Sequence, residues 1–325
     1  MASLLHRDAT IIDGLIISRW GPEVFRAMNE GGLTAANCTC SVWEGFTETM
    51  KAVGQWKEWF QEHSDVLTQV YQTDDIRRAK REGKVGVVLG FQNTTAFDDH
   101  IPFVQVFKEL GIGIAQLTYN TANSVGSGCY EGRDGGLTDF GREIVSEMNR
   151  VGILVDLSHV GHKTSEDAIL ASQKPVAYSH CLPAALKDHP RNKSDAQLKL
   201  IADHGGFVGV TLFPPFLVRG SESTIDDYLD AVDHVINVAG EDQVGIGTDF
   251  TQGYGDEFFR YITHDKGRFR KLTDFGSVVM PEGIRRIEDF PNITTAMERR
   301  GWAEPRIRKV MGDNWLRLLE EVWEN

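Results

Sequence analysis

Eight short apolar runs punctuate the chain: "TIIDGLII", "LTAANCTCSV", "VGVVLGF", "GIAQLTY", "GILVDLSH", "PVAYSH", "GFVGVTLF" and "QVGIGTDF". They are β-branched or glycine-containing and mostly lack polar alternation, as strands buried on both faces do. Helical grammar lies between them. "PEVFRAMNEGG" carries Pro22 in a first turn and Gly31 as a stop. "DDIRRAKREGK" opens on acidic residues and closes at Gly83. "TDFGREIVSEMNRVG" offers Thr138 as N-cap and Gly152 as terminator. "STIDDYLDAVDHVINVAG" runs from Ser223 or Thr224 to Gly240 in the same way.

Strand–helix alternation repeated eight times in 325 residues predicts an α/β fold, a (β/α)8 TIM-type barrel closed by C-terminal helices. The competing open doubly wound sheet usually shows a glycine-rich phosphate turn after its first strand. Here that strand leads into "ISRWGPE", which has none. After the eighth run the reading is a polar loop, "TQGYGDEFFRYITHDKGRFRK", before the last helices. No linker or repeat divides residues 1–325, so one domain is expected.

Composition is that of an ordinary globular chain, 41% hydrophobic and 25% charged. The net charge of −13, with no long Lys/Arg run, argues against nucleic acid and anionic membranes as partners. The N-terminal run has no apolar core of signal-peptide length, and no stretch reaches the roughly 18 apolar residues of a spanning helix. A cytoplasmic protein is expected, and a homodimer is compatible with such a barrel. The four cysteines fit a reducing compartment; Cys38 and Cys40, a C-x-C on an apolar strand, read as buried small residues.

Active sites of such barrels form at the C-terminal ends of the strands. There the sequence places Gln92 and Asn93, Tyr119 and Asn120, His159, His180 and Asp249. One buried imidazole is ordinarily a hydrogen-bonded core histidine. Two at equivalent ends of neighbouring strands suit a metal, since neutral imidazole is a common zinc ligand. Asp249 can either bind metal or take the proton of an activated water. His162 lies beyond its strand end and reads as solvent-facing. Arg191, after the His189-Pro190 turn, can grip a carboxylate with two parallel hydrogen bonds, or be a surface turn residue paired with Asp188 or Asp195.

"GLTDFGREIVSEMNRVGILVDLSHVG", "YSHCLPAALKDHPRNKSD", "VGIGTDF" and "VMGDNWLRLLEEVW" resemble the membrane (renal) dipeptidase family of zinc peptidases, amidohydrolase-like metallo-barrels. The resemblance implies hydrolysis of dipeptide-like amides at a two-zinc site bridged by a carboxylate and a hydroxide. By that likeness His159 and His180 match the two histidines of one zinc position. Arg191 matches the arginine that binds the substrate's terminal carboxylate, and Asp249 the aspartate beside the bridging water. Tyr119 stands where mammalian members have a histidine that stabilises the oxyanion, and its phenol can donate the same hydrogen bond. Asn120 beside it is a candidate substrate contact.

The other zinc position departs from the family. The His-x-Asp pair of "DGHND" is Leu15 and Ile17 here, the bridging glutamate is Gln92, and a tyrosine that contacts the substrate carboxylate is Phe213. Aliphatic side chains cannot ligate, and a neutral amide is a weaker ligand than a carboxylate. What remains implies a one-zinc amidohydrolase using His159, His180 and Gln92 or Asp249. The alternatives are a small-carboxylate binding protein that kept the pocket, and a hydrolase of a different amide.

Overall fold

The structure, a computed structural model, describes residues 3–324. Nine strands form one parallel sheet: β1 (Ile12–Ile16), β2 (Ala35–Ser41), β3 (Leu67–Gln69), β4 (Val85–Phe91), β5 (Ile112–Gln116), β6 (Leu154–Asp156), β7 (Ala177–Cys181), β8 (Phe207–Val210) and β9 (Val244–Ile246). Eight follow one another in the order β1-β2-β4-β5-β6-β7-β8-β9, and the parallel bridge Ile16–Phe250 brings the two ends together. The result is a nearly closed (β/α)8 barrel.

The eight apolar runs coincide with these eight strands. The ninth, β3, is a short half-polar segment, "LTQ", that pairs only with Val85–Val87 and leaves Leu89–Phe91 to β5. It has too few apolar positions to stand out in the sequence.

The expected caps hold. The helix Asp139–Val151 has the Thr138 hydroxyl accepting from the Gly141 amide at 2.9 Å, and it ends at Gly152, whose φ of +77° favours glycine. The helix Ile225–Ala239 opens on a capping box between Thr224 and Asp227. The segment after β9 requires a correction. Within the expected polar loop a helix spans Asp256–Thr263, with acidic residues in its first turn and Ile262 buried. Its half-buried aromatics pack back over the barrel mouth, which the polar flanks obscured.

At the other end of the barrel the helix Asn314–Trp323 buries Trp315, whose indole N–H donates to the Ile246 carbonyl at 2.8 Å. A Cβ at Gly14 would collide with that ring, which accounts for a glycine in a strand interior. No helix among the described residues is long and apolar enough to cross a membrane.

Candidate active site

The polar residues singled out in the sequence do gather at the C-terminal ends of the strands. Most stand one to three residues beyond the last ladder pairing, in the turns that follow the strands. Asn120 (φ +61°) and Asp249 (φ +60°) both adopt the left-handed conformation that Asn and Asp tolerate best.

His159 and His180 are both buried, with Nε2 atoms 2.9 Å apart. Their other nitrogens decide what lies between. His159 Nδ1 is 2.7 Å from Asn120 Oδ1, while the Asn120 NH2 donates to the Ile262 carbonyl. That orientation presents an acceptor to the ring, so Nδ1 carries the proton. His180 Nδ1 is 2.7 Å from Ser179 Oγ. The Ser179 hydroxyl already donates to Asp156 Oδ2 at 2.6 Å, so its oxygen accepts and His180 Nδ1 also carries the proton.

Burial, then the nearby Arg191, holds both imidazoles well below the usual histidine range, so both are neutral. Two Nε2 lone pairs therefore face one another with no proton to join them. That arrangement is repulsive by itself and fits a cation. The donor chemistry is right for zinc, and each Nδ1–H is held by an oxygen, as is usual for metal-ligating imidazoles. Among the described residues no group of three or more His, Cys, Asp or Glu is arranged to hold a metal. Any third protein donor must be of another kind. Gln92, directly after β4, has an amide whose NH2 is committed to the Thr39 hydroxyl at 3.0 Å, which leaves its oxygen as a neutral acceptor.

Residues the sequence reading passed over build the frame. Asp156 accepts from Ser158 Oγ at 2.6 Å, from the Ser158 amide at 3.0 Å and from the Ser179 amide at 2.9 Å, besides the Ser179 hydroxyl. It thereby ties the end of β6 to β7. Gln116 donates to the Gln92 carbonyl at 2.6 Å and accepts from the His159 amide at 3.2 Å, tying β4 to the turn after β6. The sequence carried a signal for part of this: both runs place Ser directly before His, as "LSH" and "YSH".

Tyr119 stacks on the His159 ring with centroids 4.1 Å apart, and among the described residues its hydroxyl has no hydrogen-bond partner. Burial, then the Asp249 carboxylate, raises its phenol well above the usual range, so it remains a donor. The Asp249 amide donates to the Leu15 carbonyl at 2.9 Å. Its carboxyl is pushed up to about 7, chiefly by burial, against the opposing pull of Arg191.

Arg191 is only 1% exposed, so it is not a surface turn residue. Its guanidinium donates to the Ser158 carbonyl and, at 3.1 Å, to the His180 carbonyl, and lies 5.2 Å from the Phe216 ring. Its Nε–H is buried without a partner. Lys193, also buried, donates to the Val160 carbonyl at 3.0 Å and is lowered to about 8 by burial and Arg191. His162 is exposed, as expected. Leu15 and Ile17 are buried among core side chains, and Phe213 packs on Phe216 and Phe275. Cys38 is buried, and half-buried Cys40 donates to the Gly90 carbonyl at 3.3 Å.

The profile of the membrane dipeptidases (peptidase family M19) matches residues 17–260 and 272–325. Among curated proteins, Dipeptidase tcpJ of Claviceps purpurea is 30% identical over 80% of this chain and 56% of its own length. The chain thus spans about half the length of the curated relatives it matches. Among solved structures, an amidohydrolase from Pseudomonas aeruginosa superposes with a TM-score of 0.98 at 60% identity, over 99% of this chain and 98% of the other. A Rhodobacter sphaeroides metallopeptidase, solved with a phosphinate mimic of L-Ala-D-Ala, shares the fold with a TM-score of 0.81 at 21% identity, over 97% and 99%.

Proposed function

The chain belongs to the membrane dipeptidase family, and from that premise we propose that it is a metal-dependent amidohydrolase acting on a dipeptide-like or other small amide that bears a free carboxylate, with one zinc ion per chain. The observation that carries this reading is the pair of Nε2 lone pairs converging at 2.9 Å. His159 and His180 would hold the ion, with Gln92 as a neutral third donor. A zinc ion held there supplies a Lewis acid and makes water a nucleophile near neutral pH.

The remaining steps fall to the chain's own residues. Asp249, with a carboxyl near neutrality and no side-chain hydrogen bond among the described residues, takes the proton of the attacking water and returns it to the leaving amine. Tyr119 donates its unpartnered phenol to the oxygen on which charge develops. Arg191 offers its unused N–H groups, Nε–H among them, to the substrate carboxylate. Asn120 orients His159 and lines the same turn. The four free thiols support a cytoplasmic setting.

A second reading, a binding protein for small carboxylates, is favoured by the absence of a three-ligand His/Cys/Asp/Glu group among the described residues. The two separate in one experiment. Full-length protein is stripped with chelator, reloaded with zinc and assayed against dipeptides of both chiralities. Turnover that is lost on stripping and regained on reloading supports the hydrolase. Ligand-induced thermal stabilisation without turnover of any amide, metal or no metal, overturns it in favour of the binder.

A further inference from the structure

A cavity of about 350 Å³ opens at the ends of β1 and β2, between the helix Phe46–Glu62 and the helix Asp256–Thr263. Its walls are aromatic: Trp20, Trp59, Tyr254, Phe258 and Tyr261 all line it. The rings are fixed by contacts of their own. The Trp20 indole N–H donates to the Thr39 carbonyl at 2.9 Å, and Tyr254 stacks on Phe258 with centroids 3.8 Å apart.

One acidic side chain faces into this apolar cup. Glu44 Oε2 accepts from the Val42 and Trp43 amides at 2.7 and 3.0 Å, and Oε1 accepts from the Tyr261 hydroxyl at 2.7 Å. These neutral donors fix the carboxylate in place and leave its charge uncancelled. No Lys, Arg or His is among the residues that line the cavity. A half-buried carboxylate with no ion-pair partner among the described residues, set among aromatic side chains, is the environment that binds organic cations. A neutral apolar ligand would gain nothing from Glu44, and an anion would be repelled.

The wall of the cavity is linked to the proposed catalytic residues by side-chain contacts. Thr39 lines it and accepts from Gln92. Trp43, next to Glu44, packs edge-on against Tyr119 at 4.9 Å, and Tyr119 stacks on His159. Ile17, at the end of β1, forms part of the wall nearest the strands.

We infer that this cavity binds a quaternary ammonium group, and that the substrate carries that group on the side of the scissile amide remote from its carboxylate. The second half of this statement rests on the hydrolase reading; the first does not. Arg191 and Glu44 then recognise opposite charges of one zwitterionic ligand.

The test uses intrinsic tryptophan fluorescence of the full-length, metal-stripped protein, titrated with choline and with its uncharged carbon isostere, 3,3-dimethyl-1-butanol. Choline should shift the emission saturably, and the isostere should bind at least about tenfold more weakly. Glu44→Gln keeps an acceptor for the backbone amides and should weaken choline about tenfold, with the isostere unchanged. Trp59→Leu keeps the wall apolar and should also weaken choline selectively, which guards against a folding defect in Glu44→Gln. Equal affinities for choline and the isostere, or no saturable response to choline, would overturn the cation site. Because the titration needs no turnover, choline binding without hydrolysis of any amide would defeat the hydrolase reading and leave the cation site standing.

Discussion

The Nδ1 of His159 and the Oδ1 of Asn120 stand 2.7 Å apart, and this contact fixes which ring nitrogen of His159 faces His180. An amide oxygen can only accept, so Nε2 is left with its lone pair on the side where a metal would sit. Asn120→Gly keeps the positive φ at that position and removes the acceptor. Zinc affinity should fall by about one to two powers of ten, the usual effect of losing a partner that orients a ligating imidazole. Competition against a chromophoric chelator reads this directly. Unchanged affinity would mean that the tautomer is set elsewhere.

Stoichiometry follows from the side chains at the end of β1. Leu15 and Ile17 are buried and aliphatic, so that strand end offers no side-chain ligand. Elemental analysis after zinc loading should give no more than about one equivalent per chain, with both His159→Ala and His180→Ala abolishing it. Two tightly held equivalents would require a ligand set not seen among the described residues.

The barrel was legible in the sequence because its eight main strands are buried on both faces and leave uninterrupted apolar runs. β3 was not, because three residues of "LTQ" carry no periodicity. His159 and His180 were legible because each ends such a run. Asp156, Ser158, Ser179 and Gln116 were not, because their roles depend on pairing between strands. The nearness of Asp156 to Ser179 is a matter of register across β6 and β7, to which spacing along the chain is blind. Arg191 was equivocal because only burial separates a surface turn from a site residue. The Glu44 cavity went unseen because its wall is completed by a helix read as polar loop.

Arg191 has two tasks that one substitution would conflate. Its contacts to the Ser158 and His180 carbonyls hold the backbone at both histidine turns, so Arg191→Ala should lower the melting temperature as well as weaken ligands. A charge-assisted carboxylate contact contributes roughly 1.5–3 kcal/mol, so free-acid ligands should lose about one to two powers of ten in affinity. Arg191→Lys should recover only part, since it keeps the charge and loses the fork. Pairing each free acid with its amide separates the tasks: amides should bind wild type poorly and be nearly indifferent to Arg191→Ala. Equal binding of acid and amide would confine Arg191 to its structural role.

Asp13 offers a pH signature. Buried near the start of β1, it accepts from the Thr248 amide at 2.8 Å, from the Leu15 amide at 3.2 Å and from the Thr248 hydroxyl, one residue before Asp249. Burial outweighs these donors and pushes its carboxyl up from 3.8 to about 7. The folded state therefore holds this proton more tightly than the unfolded chain. Its contribution to stability is complete below pH 3.8, is lost as pH rises towards 7, and changes no further above that. The wild-type curve alone will not reveal it. Burial lowers His6, His159, His180 and His189, and a lowered histidine makes stability rise with pH through the same window. Because, besides burial, the Asp13 charge also helps raise Asp249 to about 7, the coupled pair is read through Asp13→Asn. Its oxygen can still accept from both amides, and its NH2 can donate to the Thr248 hydroxyl, which lies 3.5 Å from the Leu15 carbonyl as an alternative acceptor. Denaturant unfolding of metal-stripped protein should show Asp13→Asn gaining on wild type by up to about 1.4 kcal/mol per pH unit between roughly pH 4 and 7, then levelling off. A difference between the two proteins that does not change with pH would show that Asp13 stays ionised in the fold, held by Thr248 and Leu15 more strongly than burial opposes it.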